Sequence, residues 1–300
     1  MIIVTGTKRS GTSMWMQLMN AAGVPVLGEE FSKNWKDTIH DANPHGFFES
    51  DMRRGVYYKT NPNPKNGYYL TPEVSRTFAV KVFIPGLCRS DMAFVDSVVG
   101  TMRDWREYGG SLTRLIEMER ANTETKTGKT RPSRPRLDPL LEWWLENYTL
   151  IRDVATRGYP IRLISYDRVV TEPEKWIPKM FSFIGIGDAE KAIAKVDPAV
   201  RTQVATAVET PDLPDEWRRA FDAMYAIAHD GEPVTPALIQ KFNDVHELLI
   251  GPIEETLKEV RLATTKRRLA RLARGKKKKT KTELSPDAVE FLVHRDDDDE

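Results

Sequence analysis

Three hundred residues, 40% of them hydrophobic and 30% charged, describe an ordinary globular chain, too apolar to be disordered throughout and too polar to lie in a bilayer. The formal net charge of +1 hides an uneven distribution: ten Lys/Arg and no acid run from Lys266 to Lys281, then eight acids stand against Arg295 alone as far as Glu300. The first 265 residues are therefore nearly neutral, which excludes a basic nucleic-acid face on the folded part and leaves only the tail for such contacts. No apolar run approaches the roughly 18 to 20 residues of a bilayer span. The start, Met1-Ile2-Ile3-Val4-Thr5-Gly6, turns polar too soon for a secretory leader, so a cytoplasmic location is expected. Cys88 is the single cysteine and excludes both an internal disulfide and a cysteine-rich metal module.

In chain order, short apolar runs alternate with helical patterns. Ile2–Thr5, Phe78–Ile84, Val95–Met102 and Ile161–Ser165 are predicted strands. Thr12–Ala22, Pro139–Thr156 and Pro173–Ile184 are predicted helices between them. Strand, crossover helix, strand is the arrangement that builds a parallel sheet covered on both faces, so the expected core is three-layer α/β. Two long loops are expected, Phe31–Leu70 and Thr123–Arg136, both broken by Pro and polar residues, and loops of that length commonly serve a site. After Gly187 the pattern is helical through Asp215–His229 and Pro236–Val260. The helical spacing continues through Leu262, Leu269 and Leu272 before a charged end.

The stretch Gly6-Thr7-Lys8-Arg9-Ser10-Gly11-Thr12-Ser13 lies between the first strand and the first helix. There, oriented backbone amides and a helix N-terminus suit an anion, and two glycines allow close backbone approach. Against the triphosphate pattern G-x-x-x-x-G-K-[ST], Gly6, Gly11 and Ser13 match, but Thr12 stands where the lysine belongs. Cationic charge sits earlier, on Lys8 and Arg9. The loop is built for a phosphate group other than the end of a triphosphate chain.

The run GTKRSGTSMWMQLM resembles the 5′-phosphosulfate loop of sulfotransferases that use 3′-phosphoadenylyl sulfate (PAPS), above all the Arg-Ser-Gly-Thr form of bacterial and tyrosylprotein members. Arg103 and Ser111, eight residues apart, are similar to the family's pair that contacts the 3′-phosphate. Residues 159–186 resemble its Tyr-Asp/Glu-x-Leu/Val-x-x-x-Pro-Glu segment and Phe-Ile-Gly-Ile helix end. The resemblance covers Met1 to Gly187. It implies a P-loop NTPase-like core, with 1–187 the sulfotransferase-like part; the helical spacing makes 188–262 a helical continuation of the same domain, and the charge runs make 263–300 a charged, flexible tail.

It also implies roles. Gly6, Thr7, Lys8, Arg9, Ser10, Gly11, Thr12 and Ser13 would hold the 5′ end of PAPS, with Arg103 and Ser111 on the 3′-phosphate. Arg9 would stabilise the leaving phosphate, and its planar fork suits that task. Lys81, in the apolar strand, stands where the family's cytosolic branch has a lysine acting on the sulfuryl group, and a charge there needs an explanation. Phe83 replaces that branch's catalytic His and cannot accept a proton. An alcohol acceptor still needs a base. Glu30, in a Gly-Glu-Glu segment 21 residues after Arg9, is the first candidate, with His45 and Glu49 as alternatives. Met14 occupies the place of the adenine-stacking Trp, followed by Trp15, so that role stays unassigned.

The expected activity is transfer of a sulfuryl group from PAPS to a hydroxyl or amine of a small molecule, sugar, lipid or peptide, with 3′-phosphoadenosine 5′-phosphate (PAP) as product and no metal. The alternatives are a P-loop small-molecule kinase, or a non-catalytic nucleotide- or nucleic-acid-binding protein acting through its tail.

Overall fold

The computed structural model describes residues 1–31, 43–127, 135–200 and 213–276. Two compact units divide the chain, the first formed by Met1–Pro132 and Leu137–Ile253, the second by Ser133–Arg136 and Glu254–Glu300. The predicted boundary fell later, after 262. Of the predicted tail, residues 277–300 lie outside the described residues, while the stretch up to Lys276 is helix.

The first unit is built on a five-stranded, all-parallel sheet in the order β2-β3-β1-β4-β5. Its strands are β1 (Ile2–Thr5), β2 (Val26–Leu27), β3 (Ala79–Lys81), β4 (Ser97–Met102) and β5 (Ile161–Ser165). β1 is central because all four of its residues are apolar or small enough to be buried on both sides. Its side chains alternate between two apolar layers. Ile2 and Val4 pack with Val99, Trp15 and Met19 on one face, and Met1 and Ile3 with Val80, Val82 and Val98 on the other. Burying each such aliphatic side chain is worth about 1.5 to 3 kcal/mol, which commits the strand to this position. β1 pairs with β3 on one side and with β4 on the other, so the carboxyl ends of neighbouring strands open a crevice beside Thr5.

The helices follow as α1 (Thr12–Ala21), α2 (Pro72–Ser75), α3 (Ile84–Arg89), α4 (Trp105–Thr127), α5 (Pro139–Arg157), α6 (Tyr166–Thr171), α7 (Pro173–Ile184), α8 (Ala189–Ile193), α9 (Asp215–His229) and α10 (Pro236–Lys276). Local signals set several of the ends. Asp138 caps α5 by accepting the Leu140 amide, with Pro139 at the first helical position, and the chain leaves through Gly158 at φ 67°.

Three departures from the sequence expectations bear on the site. The predicted strand Phe78–Ile84 shortens to Ala79–Lys81, because Pro85 favours a helix start and draws Ile84 into α3. α4 was not anticipated, and its last turns occupy Thr123–Thr127, the start of the expected loop; 128–134 lie outside the described residues. β2, only two residues long, lay below the length at which alternation is readable. Asn43–Leu70 is irregular apart from a single turn at Asp51–Arg54, while 32–42 of that expected loop lie outside the described residues. No described helix is long and apolar enough to cross a membrane.

Candidate functional site

The loop between β1 and α1 is fixed from within and from the sheet. Ser10 Oγ donates to the Thr7 carbonyl at 2.7 Å, and Thr101 Oγ1 on β4 donates to the Ser10 carbonyl at 2.8 Å. Gly11 enters the helix at φ 104°, and a Cβ there would lie 2.8 Å from Tyr166 Cδ2, so no other residue fits. No side chain caps α1. Its first-turn amides are thereby left for an outside partner. Arg9 adopts φ 67°, a left-handed conformation that costs a non-glycine residue about 1 to 2 kcal/mol. The loop holds it against that cost.

Arg9 Nε donates to Ser111 Oγ at 3.3 Å, and Arg103 Nη1 donates to the same oxygen at 3.2 Å. Two arginines 94 residues apart in sequence thus meet at one hydroxyl. α4 makes this possible. Asp104 accepts the Arg106 amide at 2.8 Å and starts the helix, so Glu107 and Ser111, four residues apart, stand on one face. Buried Glu107 takes Arg103 through Nε and Nη2, both at 3.1 Å, and Trp143 Nε1 donates to the Arg103 carbonyl at 2.8 Å. The Arg103 guanidinium lies 5.0 Å from the centre of the Tyr166 ring. Burial pushes the Arg9 guanidinium down to about 10, and the charges of Arg103 and Arg114 add to the effect. Arg9 remains protonated at neutral pH, and with Arg103 and Arg114 on the same cavity it forms a cationic wall that attracts an anion.

Lys81 ends β3 with only 2% of its side chain exposed. Its Nζ donates to the Phe47 carbonyl at 2.6 Å and to Ser13 Oγ at 3.2 Å, and lies 3.2 Å from Glu49 Oε1. Burial pushes its ammonium down to about 8, while Glu49 pulls it back up. Its three protons are thus committed to protein groups, and any contact with a ligand has to exchange with Ser13. Glu49, 9% exposed, also lies 3.6 Å from Arg53 Nε.

These groups share a cavity of about 430 Å³, whose wall includes Arg9, Thr12, Ser13, Lys81, Arg103, Ser111 and Arg114. Met14, Phe83, Leu115 and Met118 add apolar surface, and His45, Glu49, Lys195 and Asp197 polar surface. His45 Nε2 stands 3.5 Å from Asp197 Oδ2. Of the sequence-predicted residues, Glu30 is not brought to this wall. Its side chain is exposed, and it contributes instead its carbonyl, which accepts the amides of Phe47 at 2.6 Å and Phe48 at 3.3 Å. Gly6 and Thr7 shape the loop beneath the wall. Lys8 is on the wall but 55% exposed, 3.8 Å from Glu142 Oε1, where an ion pair is worth little. Trp15 is fully buried in the core, so it cannot stack on a ligand.

No protein-family model matches the chain, and no curated protein matches it.

Sequence reasoning missed Arg114, Tyr166 and Asp197. Arg114 follows Ser111 by three residues, so recognising α4 would have placed it on the same face. Tyr166 opens the Tyr-Asp segment that the sequence singles out without a role for its ring, whereas Asp197 reaches the cavity through tertiary packing and carries no local signal. Among the described residues no group of three His, Cys, Asp or Glu side chains is placed to hold a metal ion.

Proposed function

We propose that this chain is a sulfotransferase that moves a sulfuryl group from PAPS to a hydroxyl or amine acceptor, on a phosphate-loop core. The observation that carries this reading is the convergence of Arg9 and Arg103 on Ser111, with Arg114 on the same cavity wall, beside the uncapped N-terminus of α1. A ligand with phosphates on both sides of one ribose matches such a cluster better than a linear triphosphate. Thr12 supplies no cation where a triphosphate site has one. PAPS supplies an activated sulfuryl group on a good phosphate leaving group.

The residues fit the two ends of the donor. Gly6–Ser13 presents backbone amides and Arg9 to the 5′ end, and Arg103 with Ser111 grips the 3′-phosphate. Arg9 holds charge on the leaving oxygens, a contribution that by analogy with phosphoryl transfer supplies much of the rate. Lys81, at the cavity wall through Ser13, stands ready for the sulfuryl oxygens once that hydrogen bond exchanges.

The acceptor's proton goes to His45 in this reading. Its imidazole is on the wall and is oriented by Asp197, whereas Glu49 is committed to Lys81 and Arg53 and Glu30 stands off the wall. Product PAP would occupy the same phosphate contacts.

Incubation with sulfur-labelled PAPS and a panel of phenols, sugars, lipids and Tyr-containing peptides tests the reading. Label transfer to an acceptor that is abolished by Arg9→Ala supports it. Label that stays in the donor across the panel, with labelled phosphate moving instead from γ-labelled ATP, assigns a kinase.

A further inference from the structure

The C-terminal stretch of α10 has a composition unlike the rest of the protein. Between Arg261 and Lys276 the sequence carries seven Lys/Arg and no acid, and Lys277, Lys278, Lys279 and Lys281 extend the basic run. At about 100° per residue, Leu262, Leu269 and Leu272 fall within a sector of about 80° on one side of the helix, Lys266 and Arg268 border that sector on its two edges, and Arg267 falls on the opposite side. The leucines are 60%, 47% and 47% exposed, and Lys266, Arg267 and Arg268 are exposed as well. A leucine stripe in water beside a uniformly cationic face is unfavourable unless something apolar and anionic covers it.

We propose that Arg261–Lys276 binds the surface of an anionic lipid bilayer. The helix lies in the plane of the headgroups, with Leu262, Leu269 and Leu272 in the acyl boundary and the cations against lipid phosphates. Charge complementarity selects the sign of the partner, and the leucines select its class. Nucleic acid would engage the cations and leave the stripe wet, because phosphate contacts have no use for aliphatic side chains. The helix lies on the membrane rather than through it, since no described helix is apolar enough to span one. The proposal is independent of the chemistry assigned to the first unit.

Flotation of the full chain with vesicles tests it, using phosphatidylcholine alone and phosphatidylcholine mixed equally with phosphatidylglycerol. The expected result is binding to the mixed vesicles only, weakened by salt. Replacing Leu262, Leu269 and Leu272 together by Ala preserves helix propensity and should cut binding about a hundredfold, at roughly fivefold per leucine. Replacing Lys266, Arg267 and Arg268 by Gln should cut it about a hundredfold, at roughly fivefold per charge. Undiminished binding of the leucine variant overturns the proposal, as does tight binding to duplex DNA without binding to vesicles. Vesicle binding that appears only after removal of residues 282–300 also overturns it, by assigning the acidic end of the chain as the occupant.

Discussion

Arg103 is asked to do two things, to neutralise buried Glu107 and to grip a 3′-phosphate, and the two can be separated. In Arg103→Ala the Glu107 carboxylate stays buried without the guanidinium that lies 3.1 Å from it through two nitrogens. Breaking a buried pair by removing one partner costs about 3 to 5 kcal/mol. For a unit of this size each kcal/mol lowers Tm by about 2 to 4 °C, so the variant should melt roughly 6 to 20 °C lower. Replacing both partners, Arg103→Met with Glu107→Leu, removes the stranded charge and should return Tm to within about 4 °C of the parent. The ligand site should not recover with it. Calorimetric titration of the double variant should show PAP affinity reduced about ten- to a hundredfold, and adenosine 5′-phosphate affinity nearly unchanged, because only PAP carries the 3′-phosphate. A double variant that melts as low as the single one would refute the account of the pair. Equal weakening for both nucleotides would refute the assignment of the 3′-phosphate.

Gly11→Ala should cost about 1 to 3 kcal/mol in thermal unfolding and weaken PAP, because the new methyl meets Tyr166, which lies against Arg103. Lys81 stays charged in both folded and unfolded chains below pH 8. From about 8 to 10.5 the unfolded chain holds the proton that the folded one has released, so Lys81 makes unfolding stability rise with pH by up to roughly 3 kcal/mol. Lys81→Met should lack that rise in denaturant titrations, and donor turnover that depends on the ammonium should fall above pH 8. His45→Ala should lower turnover about 10² to 10⁴-fold with PAP affinity intact, while Glu30→Gln keeps near-normal turnover. The reverse outcome would return the base to Glu30.

What was readable in the sequence is what chemistry encodes locally. β1 announces itself as an apolar run, and Gly6 and Gly11 bracket a loop that only a close backbone approach requires. The Arg103–Ser111 spacing was visible, but the helix that converts it into a contact was not. Gly109 and Gly110 lower helix propensity by about 1 kcal/mol each in the second turn of α4, and its polar end reads as a loop. Tertiary packing overrides this, with Trp105 and Trp143 both against Phe221 to anchor the start of α4. The pairing of Lys81 with Glu49, 32 residues earlier, left no trace in either segment, and neither did the turning of Glu30 away from the wall. Both depend on how an irregular segment folds back across the sheet edge, which residue spacing alone does not specify.

The central claim is that the cavity is made for a nucleotide with phosphates at both the 3′ and the 5′ position. Titration calorimetry of the full chain with PAP, adenosine 5′-phosphate, and ATP plus magnesium measures this directly. The account predicts PAP binding that is unaffected by chelator and at least tenfold tighter than adenosine 5′-phosphate, a difference of about 1.4 kcal/mol or more. Magnesium-dependent ATP binding tighter than PAP would contradict it.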